Sequence, residues 1–314
     1  MSKHYSIAFV GLGSIGSRHL NNVRAFLAGR GNTCSIDLYR HILQVDLPKG
    51  ADRQYKYGDP LPSKHVYDIV FVTNPTSLHE DAVRKFIGHT KAFFIEKPVF
   101  CATSIDARLL ECLQSVVSYV ACPLRYNAVL QHVKETGVCK DAIAVRAISS
   151  SYLPEWRPNT DYRQCYSAHR DMGGGVGIDL IHEWDYLTWL LGLPIECHSI
   201  QAKLSSLEID SDDVAIYVAR TKTTSIEVHL DYYGRQPIRQ LELFLPNDTI
   251  CCDLLNGTIS FLKTGQTETF HFERNEYQMK EIEHFFAIVD GQIENDSDVT
   301  HALQVLRIAK GENL

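Results

Sequence analysis

Ser6-Ile7-Ala8-Phe9-Val10 is an apolar run of strand length, and it stops at Gly11-Leu12-Gly13-Ser14-Ile15-Gly16 before a helical pattern begins near residue 18. A strand that is apolar on both faces has to be covered on both, which is the situation of a strand in a parallel sheet. The same alternation continues through the first 120 or so residues. Strand-like runs occupy 34–39, 67–73 (ended by Asn74-Pro75), 92–95 and 116–121, and helix-like segments fill 18–27, 77–87 and 104–114. Thr76 or Ser77 is placed to cap the second helix, because a hydroxyl accepts from the free N–H groups of a first turn. The pattern predicts an α/β fold with a doubly wound parallel sheet.

The second half has a different rhythm. A strand-like run at 141–152 leads into a polar, aromatic loop to about residue 171, then a helix. Short strands follow at 214–219, 225–233, 240–245, 249–254, 259–262 and 268–272, with turn signals at Pro246-Asn247-Asp248 and Asn256-Gly257. Two helices, near 276–289 and 298–310, close the chain. This predicts an α+β region with a large, mainly antiparallel sheet and a boundary near Cys122-Pro123, giving domains of 1–122 and 123–314.

Composition narrows the partners. A formal charge of −7 without basic tracts argues against nucleic acid and anionic membranes. No apolar run reaches the roughly 20 residues of a membrane span. The opening MSKHYSIAFVGLGS turns to glycine too soon for a secretory signal, and the nine cysteines form no CxxC pair, so a cytoplasmic protein with reduced thiols is expected. The 14 histidines are scattered and no HExxH occurs, so no metal site is expected.

The glycine turn has the form of a dinucleotide site. Gly11 permits a tight turn, Gly13 lets the backbone approach a pyrophosphate, and Gly16 allows close helix–strand packing, with the N–H groups of the Ser14-Ile15 helix start directed at phosphate. An acid at the end of the second strand normally holds a ribose 2′-hydroxyl. Here that strand ends Tyr39-Arg40-His41, with Asp37 too early. Arg40 suits a 2′-phosphate, so NADP is favoured over NAD, although a solvated surface arginine would look the same.

Glu96-Lys97-Pro98 closes a buried strand, which places Lys97 where an open α/β sheet binds its ligands. Further on, DMGGGVGIDLIHEWDYLTWLLG (171–192) read as one helix gathers Asp179, His182 and Tyr186 on one side with Glu183 beside them. That face fits a hydride-transfer site, which needs a base within reach of a hydroxyl, and it equally fits an amphipathic helix with a solvated polar side.

Taken in order, GLGSIG, Asn74-Pro75 with His79, Glu96-Lys97-Pro98, and GGG with Asp179 and His182 resemble the glucose–fructose oxidoreductase / inositol dehydrogenase (Gfo/Idh/MocA) family over essentially the whole chain. The resemblance implies an N-terminal Rossmann domain and a C-terminal α+β domain whose large open sheet often pairs subunits, hence a homodimer or homotetramer. It implies that Asn74, Pro75, His79, Glu96 and Lys97 border the cofactor. Lys97 would orient nicotinamide and substrate, with Asp179 and His182 in the substrate pocket and His182 as base. The family usually has three residues between that aspartate and histidine; here Leu180-Ile181 are two, so Glu183 is the alternative occupant of the base position.

Arg125-Tyr126-Asn127 resembles a segment bordering the family's pocket. The loop YLPEWRPNTDYRQCYSAHR (152–170) supplies Trp156, Arg157, Tyr162, Arg163, Tyr166 and Arg170, which suit an anionic sugar or nucleotide sugar and equally suit a protein contact. The loop is similar to that of a family subgroup of bacterial surface-sugar pathways. The expected activity is an NAD(P)-dependent dehydrogenase or reductase acting on a CH–OH group of a sugar, sugar acid or nucleotide sugar. Two rivals remain: a non-catalytic dinucleotide-sensing regulator, and an NAD-using glycosidase that oxidises its substrate only transiently.

Overall fold

The computed structural model describes residues 2–61, 66–273 and 275–312. They form two compact units, one comprising the chain up to Ala121 together with Gln278–Leu303, the other Cys122–Tyr277 with the chain from Gln304.

In the first unit the elements run β1 (His4–Val10), α1 (Ser14–Gly29), β2 (Thr33–Arg40), β3 (Arg53–Lys56), β4 (Ile69–Val72), α2 (His79–Phe86), β5 (Ala92–Ile95), α3 (Ala107–Gln114) and β6 (Val117–Val120). Six parallel strands are ordered β3-β2-β1-β4-β5-β6. β4 and β5 are buried at every position, as an apolar strand covered on both faces must be. Strand order reverses between β1 and β4, so a crevice opens there beyond the strand ends, beside the glycine turn. β3 has no counterpart in the sequence reading, because Arg-Gln-Tyr-Lys is a half-exposed edge with no apolar signal. The expected cap of α2 is not made. Residues 76–78 form a separate 3₁₀ turn, and α2 starts after Leu78 without a side-chain cap.

The core of this unit is aromatic. Phe71 stacks between Phe9 and Phe94 with ring centroids 4.5 and 4.8 Å away, and Phe285 meets both Phe71 and Phe94 edge-on. Phe285 and Phe286 lie on a helix over Glu276–Val289. A single boundary near Cys122 leaves that segment with the second half of the chain, whereas Gln278–Leu303 packs in the first unit. Apolar periodicity marks a buried helix face without saying which sheet buries it.

The second unit contains α4 (Ala128–Thr136), β7 (Ala144–Tyr152), α5 (Val176–Asp179), α6 (His182–Leu191), β8 (Glu196–Ala202), β9 (Val214–Arg220), β10 (Ser225–Asp231), β11 (Tyr233–Phe244), β12 (Thr249–Asp253), β13 (Thr258–Phe261) and β14 (Gln266–Thr269); α7 (Glu276–Val289) and α8 (Val299–Ala309) end the chain. Eight strands are ordered β14-β13-β12-β11-β7-β10-β9-β8, antiparallel except for the parallel pair β7–β10. The turn at 245–248 closes through Leu245 N–H to the Asp248 carbonyl at 2.8 Å, and Gly257 takes φ +69° in the next turn. One sheet face is buried, with Trp184 of α6 edge-on to Tyr217 at 5.3 Å. The other leaves Ile200, Ile216, Val218 and Ile238 exposed.

Asp213, fully buried just before β9, fixes the turn after β8. It accepts from Leu204 N–H at 2.7 Å, Ser205 N–H at 2.9 Å and the Ser205 hydroxyl at 2.6 Å. Burial opposes its ionisation, but these donors, with Lys203, outweigh burial and hold the carboxyl below its ordinary 3.8. A depressed folded-state pKa stabilises above the unfolded value and stops doing so as pH falls through the folded one. Asp213→Asn is therefore expected to be less stable than wild type at pH 7, with the gap closing as pH drops below about 4, measured by urea denaturation at each pH.

Candidate functional site

In the first unit the residues after β1, β2, β4 and β5 meet at one sheet edge. Gly11 takes φ +82°, and a Cβ there would lie 2.8 Å from Asn74 Cα, so only glycine lets these two strand ends approach. A Cβ on Gly16 would lie 2.7 Å from the Thr73 hydroxyl, which itself bonds the Gly11 carbonyl at 3.0 Å. Gly13, by contrast, faces open space. It precedes Ser14, and α1 has no side-chain cap and no acidic residue in its first turn. A 16-residue helix thus presents its first N–H groups and the positive end of its dipole to an open site.

Other groups around that edge fit a dinucleotide. Asn74 donates to the Leu78 carbonyl at 3.2 Å, while its Oδ1 is buried with no hydrogen-bond partner among the described residues. Arg40 ends β2, and its Nη1 is likewise buried and unpartnered. Asp37 is committed elsewhere: it receives Arg53 Nε at 2.8 Å and the Tyr67 hydroxyl at 2.8 Å. No acid therefore stands at the end of β2, where a ribose-binding carboxylate would be.

His79 has a different place from a ligand contact. Its ring is fully buried between the Val99 and Asn74 carbonyls, at 3.1 and 3.0 Å, and burial holds its pKa below 6.5. It clamps the loop after β5 to the loop after β4. Pro75 precedes the 3₁₀ turn at 76–78 and sets its entry. Glu96 accepts from His19 Nε2 at 2.5 Å and from Lys97 N–H at 3.2 Å, while Lys97 follows β5 at the sheet edge. Burial opposes ionisation of Glu96, yet the His19 bond and the Lys97 charge lower its pKa.

In the second unit the expected continuous helix is broken. α5 ends at Asp179, Leu180 leaves helical geometry at φ −96°, ψ 30°, and α6 restarts at His182. The restart changes which residues share a face. Glu183 is fully buried with one carboxylate oxygen 2.8 Å from Arg239 Nε, and Tyr186 is fully buried beside it. Glu183 thus lies inside the unit, whereas His182 is partly exposed.

Asp179 is buried and receives the hydroxyl of Tyr232 at 2.6 Å and that of Tyr166. Burial and the Asp179 charge push both phenols well above 10, which keeps them as donors. Tyr166 keeps 40% of its surface exposed while its hydroxyl points inward, so its ring borders the surface and its oxygen the interior. Trp156 lies edge-on to Tyr232 at 5.2 Å and donates to Ser151 at 2.9 Å. Asp179, Tyr166, Tyr232 and Trp156 therefore form one cluster, with Arg157 close enough to act on the Tyr166 hydroxyl.

The remaining basic and amide candidates serve the fold. Arg125 is 1% exposed and makes a two-pronged pair with Asp185 at 2.7 and 3.0 Å. Asn127 caps α4 through Val129 N–H and donates to the Leu254 carbonyl. Arg163 binds Asp161 and Glu208, Tyr162 accepts from Glu208 N–H, and Arg170 binds Asp212, so all three pin the loop to residues 208–212. Arg157 is exposed and has no such carboxylate partner among the described residues. Sequence reasoning did not find Tyr232, Asp185 or Arg239, because each acts across the unit. His19, one helical turn beyond Gly16, had only its nearness to the glycine turn as a signal.

Residues 5–116 match the family model described as oxidoreductase family, NAD-binding Rossmann fold (GFO_IDH_MocA). An uncharacterized oxidoreductase of Streptococcus pneumoniae serotype 4 (strain ATCC BAA-334 / TIGR4) is 29% identical over 144 residues, 43% of this chain. The match spans only 36% of that curated relative's length. Among solved structures, UDP-N-acetylglucosamine 3-dehydrogenase from Acidithiobacillus ferrooxidans superposes with a TM-score of 0.74 at 17% identity, covering 98% of this chain and 96% of the other. Levoglucosan dehydrogenase in complex with NADH and levoglucosan gives 0.80 at 15% identity with the same coverage. A dehydrogenase from Bordetella pertussis in complex with NADH and UDP-GlcNAcA gives 0.77 at 16% identity, covering 98% and 95%. At such identities the likeness establishes the fold alone.

The two kinds of arginine separate in a stability experiment. Arg125→Met, which leaves Asp185 without its partner, is expected to cost about 3–5 kcal/mol. Arg157→Ala is expected to leave the thermal midpoint where it is, measured on both variants by thermal denaturation.

Proposed function

We propose that this chain, whose residues 5–116 match the NAD-binding Rossmann model of the Gfo/Idh/MocA oxidoreductase family, is a nicotinamide-dependent dehydrogenase or reductase acting on a CH–OH group of a sugar, sugar acid or nucleotide sugar. The observation that supports this most is local to the first unit: the uncapped start of α1, open at Gly13, lies at the same sheet edge as Lys97. The α1 N–H groups and Asn74 would hold the dinucleotide, and Arg40 would take a 2′-phosphate, which favours NADP. When bound, the nicotinamide ring supplies or accepts the hydride.

The protein's own part is position and proton handling. By the resemblance to the family, His182 would serve as the base for the hydroxyl proton and Lys97 as the cation that stabilises oxygen charge. Asp179, which accepts from two tyrosine hydroxyls, serves to orient and charge-tune the base. Arg157 is the basic residue of the 152–170 loop left to recognise an anionic group, and Trp156 with Tyr166 offers ring surface for a sugar. The apolar residues exposed on the open sheet support pairing with a second copy. Nine cysteines without a CxxC pair support a reducing compartment such as the cytoplasm. The loop also supports the narrower reading of a role in bacterial surface-sugar metabolism.

Titration with NADPH and NADH, followed by nicotinamide fluorescence and thermal shift, is expected to show tighter binding of NADPH. Arg40→Ala should weaken NADPH about tenfold or more and leave NADH unchanged, as loss of a charge-assisted contact requires. With the preferred cofactor and a panel of sugars and nucleotide sugars, Lys97→Ala should lower kcat about a hundredfold or more. Failure of folded, ligand-free protein to bind either dinucleotide would remove the oxidoreductase reading.

A further inference from the structure

His19 is an expensive residue to keep where it is. It is 1% exposed, its ring packs against Phe94 at 4.8 Å and Phe71 at 6.2 Å, and its Nδ1 is buried with no hydrogen-bond partner among the described residues. Burying a polar atom without a partner is unfavourable, so the ring's other nitrogen has to compensate. Nε2 does so through its 2.5 Å contact with Glu96 Oε1. Because only Nε2 has a partner, the tautomer that uses the ring is the one with the proton on Nε2, donating to the carboxylate. The other carboxylate oxygen accepts from Lys97 N–H at 3.2 Å. One carboxylate therefore joins α1 to the main chain of Lys97. α1 also begins at the glycine turn, where Gly11 and Gly16 are already locked against Asn74 and Thr73.

We propose that His19 is a positioning residue for Lys97: through Glu96 it mounts the lysine on the same helix whose N-terminus seats the dinucleotide phosphates. The pair has a reason to be rigid. Lysine has a long flexible stem, and its ammonium is useful only if its backbone origin is fixed relative to the bound cofactor. His19 is buried inside the unit, so its removal is expected to change the placement of Lys97 and leave the phosphate seat in place. This rests on the dehydrogenase reading above.

The test uses the full-length protein with its preferred dinucleotide and a substrate that wild type turns over. His19→Leu is expected to lower kcat about tenfold or more while dinucleotide Kd moves less than about threefold, as misplacement without lost binding predicts. His19→Gln, whose side-chain amide can donate to Glu96, should recover most of that loss. In the reductive direction, a reduced cofactor deuterated at the transferred C4 position should give a larger isotope effect on kcat in His19→Leu than in wild type, because hydride transfer becomes more rate-limiting. If His19→Leu does not fold, His19→Met, an apolar side chain that likewise cannot donate to Glu96, reads the same link and should show the same kcat-against-Kd split. Wild-type kcat in folded His19→Leu, or in folded His19→Met, overturns the inference. Loss of dinucleotide binding in step with kcat also overturns it, since that is a structural role. Wild type that binds no dinucleotide overturns the dehydrogenase reading first, and this inference with it.

Discussion

A charge removed from water needs a partner, and in this chain that requirement decides which polar residues are left for ligands. Asp37 is held by Arg53 and Tyr67, Arg125 by Asp185, Glu183 by Arg239, and Asp213 by the turn it organises. Each pair fixes two elements relative to each other, and each also withdraws a candidate from chemistry. At the edge of the first sheet, by contrast, Arg40 Nη1 and Asn74 Oδ1 are buried without a hydrogen-bond partner among the described residues. In the second unit Arg157 is exposed and pairs with no carboxylate among the described residues.

This explains how much of the site could be read from the sequence. Gly11, Gly13 and Gly16 were legible because local chain geometry demands glycine there, and the structure gives each a physical reason: a left-handed backbone and close approach at Gly11, open space at Gly13, contact with Thr73 at Gly16. Strand-length apolar runs located β1, β4 and β5 within a residue or two. Arg125, Arg163 and Arg170 carried the same local signal as Arg157. What separates them is the position of Asp185, Glu208 and Asp212, which only the folded chain brings near.

The misread elements have equally physical causes. A helical wheel over 171–192 presumes one continuous axis, but the chain leaves helical geometry at Leu180 and resumes at His182, so residues on either side of the break no longer share a face. Glu183 and Tyr186 turn inward as a result, and the residues that meet Asp179 are Tyr166 and Tyr232 from distant segments. β3 was missed because an edge strand needs no apolar run. The Phe285-Phe286 pair was legible as buried, and its address on the first sheet was not.

The parallel pair β7–β10 within an otherwise antiparallel sheet sets the order in which that sheet can be completed. β7 lies between β10 and β11, both of which follow it far along the chain. During synthesis β7 thus emerges with both edges unsatisfied and stays so until residues 225–244 have been made. A central strand waiting on distant partners raises contact order, which slows folding, and in the meantime offers two open backbone edges to other chains. An interior strand of the finished sheet is thus for a time open at both edges in the nascent chain, so the yield of folded protein hinges on how long that interval lasts.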